Sequence, residues 1–141
     1  MGRKKYDRWA AYSQSKLANV MFALELDNRL RNTGSKLSSL VAHPGLARTN
    51  LQSTSLVSSN SWQESVLYKL MAPLFQSASM GALPQLLAAT SPEAQSGEQY
   101  GPRFNLRGYP QLCRTAPLAL NIRFRQRLWN ISEGLIEGFR N

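Results

Sequence analysis

A long helix with apolar residues on two adjacent rows limits what this chain can become. Over about Ala10 to Arg31, Leu17, Val20, Met21 and Leu24 recur at helical spacing, and Ala18, Phe22, Leu26 and Leu30 make a second row beside them. A face that wide asks for burial on more than one side. Asn32-Thr33-Gly34 supplies the stop. A short strand comes next, over about residues 37–43, centred on Leu40, Val41 and Ala42, and it ends at Pro44-Gly45. Helix then strand is the second half of a β-α-β unit. The pattern before the helix holds no strand, so the rest of the sheet is expected elsewhere.

The remainder of the chain is helix-rich. Residues 50–60 are polar and rich in Ser and Thr, which predicts a loop. Trp62, Val66, Leu67, Leu70, Met71, Leu74 and Phe75 mark an amphipathic helix over about 61–76, ended or kinked at Pro73. Ser79 to Ala89 reads as a further helix, and Gln99 to Leu106 as a short strand. A terminal helix is expected over about 116–136, with Leu120, Phe124, Leu128, Ile131 and Leu135 on one side. A length of 141 residues predicts one domain, 1–141, able to bury a core of its own.

Composition narrows the class. Hydrophobic residues are 43% and charged residues 18% of the chain, a globular balance. One cysteine (Cys113) rules out an internal disulfide, and one histidine (His43) speaks against a metal centre or a Ser/His/Asp triad. No apolar run has the length of a transmembrane helix. The first residues lack a secretory pattern, so a reduced, cytoplasmic setting is expected. The net charge is +9, and the stretch from Gln99 to Ser132 carries six arginines and no acid. Such a surface can draw phosphate-bearing partners. Neither zinc-finger spacing nor an aromatic RNA-binding motif accompanies it, so nucleic acid is not expected. A nucleotide cofactor would answer the same charge.

Tyr12 and Lys16 stand four residues apart, on one face of the predicted helix. A phenol acts as a proton donor near neutrality only where a neighbouring cation stabilises its phenolate, and a lysine one turn on can supply that cation. Such a pair also arises by chance in helices, and its meaning depends on the rest of the chain. Just past the strand's carboxyl end stands His43-Pro44-Gly45-Leu46-Ala47-Arg48-Thr49. Open α/β sheets bind ligands at that end. Gly45 lets backbone approach a ligand, and Thr49 offers a hydroxyl and an N–H to an anion.

Tyr-x-x-x-Lys on a helix, then a strand, then Pro-Gly-x-x-x-Thr resembles the short-chain dehydrogenase/reductase family. Tyr12 through Val20, His43-Pro44-Gly45 and Leu128-Trp129-Asn130-Ile131-Ser132 resemble its retinol dehydrogenase and protochlorophyllide reductase-like branch. The resemblance runs from about Tyr6 to Gly138. It implies the carboxyl-terminal half of a Rossmann-type, doubly wound parallel α/β sheet. It implies NAD(P)-dependent carbonyl reduction or alcohol oxidation on a lipophilic substrate, with NADP slightly favoured over NAD. Tyr12 would be the acid/base; Lys16 would support it and hold the nicotinamide ribose. Pro44 and Gly45 would line the nicotinamide, backbone at Leu46 and Ala47 would meet its carboxamide, and Thr49 would face the diphosphate. Family members more often carry Val or Ile where Ala47 stands. The 61–76 helix falls where the family has a substrate lid, and the 10–31 helix where it builds a dimer contact. No metal is implied, and association with a membrane surface stays open.

Three family features are missing from the sequence, one of them the Asn that completes the family's proton relay. The nine glycines form no Gly-x-Gly turn, and Tyr12 leaves no room for the family's upstream catalytic serine. Two strands are therefore expected, and the chain alone is expected to be inactive. The rival expectations are a non-catalytic interaction or regulatory remnant, and a basic binder of nucleic acid or anionic membrane.

Overall fold

The computed structural model describes residues 6–47, 66, 70 and 72–139. Contacts gather these residues into two compact units. The first holds the chain up to Val41, then Gln95–Gly97, then the chain from Arg114 on; the second holds Ala42 to Ala94 and Glu98–Cys113.

The first unit is built on helix α1, Arg8–Asn32. It starts at Asp7, whose carboxylate accepts from the N–H groups of Trp9 and Ala10 at 2.9 and 3.2 Å. It stops at Thr33, beyond which Gly34 takes φ +65°. The Gly34 N–H donates to the Arg31 carbonyl and the Ser35 N–H to that of Leu30. That is the paired capping pattern a left-handed residue makes possible. The expected helix, 10–31, is thus found with a slightly earlier start.

Met21 and Leu24 bury the inner row of α1 against Ala119, with Leu17, Val20 and Leu128 around them. Ala119 lies in a 3₁₀ turn, Pro117–Leu120, which Asn121 separates from helix α3, Ile122–Gly138. The Asn121 side chain caps α3 by accepting from the Arg123 and Phe124 N–H groups. The single helix expected over 116–136 is therefore two elements. Pro117 and the Asn121 cap divide them, and Gly134 does not end α3. The second apolar row of α1 is only half covered. Phe22 is half-exposed and stacks on Trp129 of α3, with centroids 5.3 Å apart and planes within 6°. The Arg29 guanidinium lies 4.4 Å from the same indole centroid, and its Nε also bonds Glu25 at 3.1 Å. Glu25 is 2% exposed.

The strand expected over 37–43 shrinks to β1, Val41–Ala42. Ser39 explains why: its N–H donates to Ser96 Oγ, its carbonyl accepts from Gly97 N–H, and its hydroxyl bonds the Ala23 carbonyl of α1. Those bonds are loop bonds, not a ladder.

The second unit carries strands β2, Gln99–Pro102, and β3, Pro110–Leu112, beside β1 in the order β1-β2-β3. β2 and β3 run antiparallel, with Gly101 opposite Gln111. The sheet thus has three strands, where two were expected. The three residues of β3, Pro-Gln-Leu, carry almost no strand signal. The strand expected over 99–106 ends at Pro102. There the chain turns into a 3₁₀ turn, Arg103–Asn105, in which Phe104 and Asn105 take φ 56° and 59°. Helix α2, Ala78–Thr90, packs on β2 and β3 and is capped by the Ser77 hydroxyl. The expected 79–89 helix is found here, with Pro84 buried inside it. Most of the expected lid helix, 61–76, lies outside the described residues. Within that stretch Val66 and Leu70 are helical and Ala72–Leu74 forms a 3₁₀ turn.

Candidate active site

Two groups of residues carry the expected chemistry, each within one unit. The first is on the opening turns of α1. Tyr12 is 50% exposed, and the Lys16 ammonium lies 5.3 Å from its ring centroid. One helical turn puts the two on the same face, as the four-residue spacing requires. Trp9 meets the Tyr12 ring edge-on, with centroids 6.5 Å apart. Ser15, inside the motif, spends its hydroxyl on the Tyr12 carbonyl at 2.7 Å. The phenol therefore has a cation and an aromatic edge beside it and solvent access to its ring.

The second group is the loop after β1. Pro44 is exposed, Gly45 and Leu46 are half-buried, and Ala47 is buried. Gly45 sits at φ +65°. A Cβ there would stand 2.4 Å from the Leu106 carbonyl oxygen and 2.5 Å from Pro102 Cγ, so the position takes glycine alone. On the other side, Gly81 of α2 admits Ala47, whose Cβ would be 2.7 Å from a Cβ on Gly81. Thr49, the expected diphosphate contact, lies outside the described residues.

Gln76 organises this loop. It is 7% exposed. Its side-chain Nε2 donates to the Pro44 carbonyl at 2.8 Å, and its Oε1 accepts from Gly108 N–H at 2.8 Å. Its backbone N–H donates to the Leu46 carbonyl at 2.8 Å, and the Leu46 N–H donates to the Leu106 carbonyl at 2.7 Å. The Leu46 amide is thus committed within the protein. Sequence reasoning missed Gln76, Leu106 and Asn105. Gln76 lay at the end of a stretch read as lid helix, and an isolated bridge to Ala47 leaves no periodic trace.

His43, just before the loop, bonds Gly45 N–H through Nδ1 and Asn105 Oδ1 through Nε2, each at 3.2 Å. Burial pushes its pKa below the ordinary 6.5, and the Asn105 bond opposes that. Burial also raises the Cys113 thiol, against a bond to the Gly101 backbone. Among the described residues, no helix is long and apolar enough to cross a membrane. Nor, among them, do three His, Cys, Asp or Glu side chains gather as a metal site would need.

Known proteins resemble this chain over most of its length. It is 32% identical over 136 residues to retinol dehydrogenase 12 of Mus musculus, matching 93% of this chain and 37% of that protein. It is 33% identical over 135 residues to the WW domain-containing oxidoreductase of Drosophila melanogaster, covering 94% and 30% respectively. A crystal structure of an uncharacterized protein from Mycobacterium Paratuberculosis superposes with a TM-score of 0.68 at 34% identity, over 95% of this chain and 41% of that one. No protein-family model matches the sequence. The chain thus spans between 30% and 41% of the length of these relatives. Similarity of this extent, joined to the Tyr-x-x-x-Lys helix and the Pro-Gly loop, places the chain in the short-chain dehydrogenase/reductase family, beside its retinol dehydrogenases.

Proposed function

We propose that this chain carries the proton-transfer end of a nicotinamide-dependent oxidoreductase that interconverts a carbonyl and an alcohol. The observation that supports this most is the Tyr12–Lys16 pair, with its ammonium 5.3 Å from the phenol ring centroid on a half-exposed helix face. In this reading the Tyr12 hydroxyl gives its proton to the substrate oxygen in reduction and takes it back in oxidation. The Lys16 ammonium stabilises the phenolate that remains and offers hydrogen bonds to ribose hydroxyls.

The residues present fit the nicotinamide end of such a cofactor. Gly45 lets the loop backbone close on Leu106 and Pro102, and the exposed Pro44 beside it offers its outer face to a flat ring. The bound cofactor supplies or accepts the hydride. Because the Leu46 N–H is already given to Leu106, the carboxamide contact falls to the backbone at Ala47. No Gly-x-Gly turn for the pyrophosphate is in the sequence, so the chain alone is expected to turn nothing over. The likeness to retinol dehydrogenases favours a lipophilic, retinoid-like alcohol or aldehyde. Tyr6 and Trp9, both largely exposed at the start of α1, favour a dimer through that helix.

The test joins this chain to the amino-terminal part of mouse retinol dehydrogenase 12, in place of the matching segment, and measures NADPH- and NADH-dependent reduction of retinal. The joined protein is expected to turn over. Tyr12→Phe is expected to lower kcat by about 100-fold to 10,000-fold, the range for losing a positioned acid. A Tyr12→Phe protein that keeps its rate overturns the assignment.

A further inference from the structure

The Pro44–Gly45 peptide is gripped at both ends. Its carbonyl accepts from Gln76 Nε2, and its N–H donates to His43 Nδ1. The second bond fixes the chemistry of the ring. A backbone N–H can only donate, so Nδ1 must be the acceptor. A neutral imidazole then carries its proton on Nε2, and that proton faces Asn105 Oδ1. The Nε2–H tautomer satisfies both partners, and the other loses the bond from the Gly45 N–H.

The surroundings are shaped to keep the ring there. The His43 N–H donates to the Tyr100 carbonyl of β2 at 3.0 Å. The ring lies over Gly101, where a Cβ would come within 2.1 Å of Nε2. Asn105 reaches the ring from a left-handed backbone, beside a second left-handed residue, Phe104. Such conformations persist only where surrounding contacts hold them. The elements packed on the ring present Gly101, Asn105 and Gly45. Of the ionisable groups around them, the Arg103 guanidinium lies over the Phe104 ring 4.9 Å from its centroid. The Cys113 thiol bonds the Gly101 backbone.

We infer that His43 and Gln76 are positioning residues of the Pro44–Gly45 peptide, and that a proton taken up on His43 Nδ1 frees the Gly45 end while Gln76 keeps the other. Protonation sets two donors face to face at Gly45 but leaves the Asn105 bond intact, because Nε2 donates in both states. The consequence for cofactor binding rests on the reading of this loop as the wall behind the nicotinamide. The grip itself does not.

His43 is the one histidine in the chain, so its ring resonances need no assignment by mutation. The experiment records long-range proton–nitrogen spectra of the ¹⁵N-labelled 141-residue chain from about pH 8 to about pH 5, the span over which an imidazole titrates. The Nε2–H tautomer is expected at the alkaline end, with titration below 6.5. The Gly45 amide should shift and lose exchange protection with the same midpoint, and the Gly108 amide, held by Gln76, should not. His43→Gln should abolish the Gly45 titration. A ring in the Nδ1–H tautomer, a midpoint at the free-imidazole value, or a Gly45 amide indifferent to the ring overturns the inference. In the joined protein, the cofactor KM should rise several-fold below the same midpoint, and His43→Gln should remove that pH dependence. A flat KM beside an intact Gly45 titration overturns the nicotinamide reading of the loop and leaves the grip standing.

Discussion

Gly45→Ala should destabilise the protein well beyond what its backbone angle alone would explain, and Gly34→Ala supplies the comparison. Both glycines sit at φ +65°. At Gly34 an added Cβ meets nothing within 4 Å. Its substitution therefore reads backbone strain alone, about 1–2 kcal/mol. At Gly45 the same Cβ stands 2.4 Å from the Leu106 carbonyl oxygen and 2.5 Å from Pro102 Cγ. Neither neighbour can retreat cheaply. The Leu106 oxygen accepts the Leu46 N–H, and Pro102 is among the fully buried side chains. Overpacking of this kind adds about 1–3 kcal/mol. At about 3–4 °C per kcal/mol for a chain of this size, Gly45→Ala should melt roughly 3–12 °C below Gly34→Ala. Calorimetry gives the two Tm values. Urea denaturation checks that the slope is unchanged, so that the difference is one of stability. Equal losses in the two variants would refute the close approach of the loop to Leu106.

Asp7→Ala removes both bonds at the start of α1 and should cost about 1 kcal/mol by urea denaturation, whereas Asp7→Asn should recover most of it. Leu24→Ala, in the α1–Ala119 cluster, should cost about 2–4 kcal/mol, and Leu26→Ala, outside that cluster, distinctly less. Cys113 should react with iodoacetamide more slowly at about pH 8 than a free thiol, because its raised pKa reduces the thiolate present there. The ratio should close in urea, where burial is lost.

The elements legible in the sequence are those with a period. α1 and α2 were readable because their apolar residues recur over several turns and their ends carry Gly34, Ser91 and Pro92. α3 was readable for the same reason, but Asn121 looked like one more helical residue and acts as a cap. Features held by contacts between distant residues could not be read. Ser39 leaves the strand because Ser96 and Gly97 take its backbone bonds, and nothing in residues 37–40 announces that. The site divides in the same way. Tyr12 and Lys16 meet through local helical spacing, so sequence sufficed. The loop's shape comes from Gln76, Leu106 and Asn105, which stand some 30 to 60 residues further along. Their side chains are ordinary in type and carry no motif.

The pairing of α1 with α3 also sets a timetable. Among the described residues, the cluster around Met21 and Leu24 takes Ala119 and Leu128 from beyond Arg114. On a ribosome adding about 5–20 residues per second, α1 would stand uncovered for on the order of ten seconds before α3 emerged. Over that interval the nascent chain shows an oily helix to its surroundings, a ready target for chaperones that grip such surfaces. A circular permutant that places residues 114–139 ahead of Asp7 would let the two helices close on each other within moments of synthesis. Its yield of soluble protein in chaperone-poor cells, set against that of the natural order, would measure how much the delay matters.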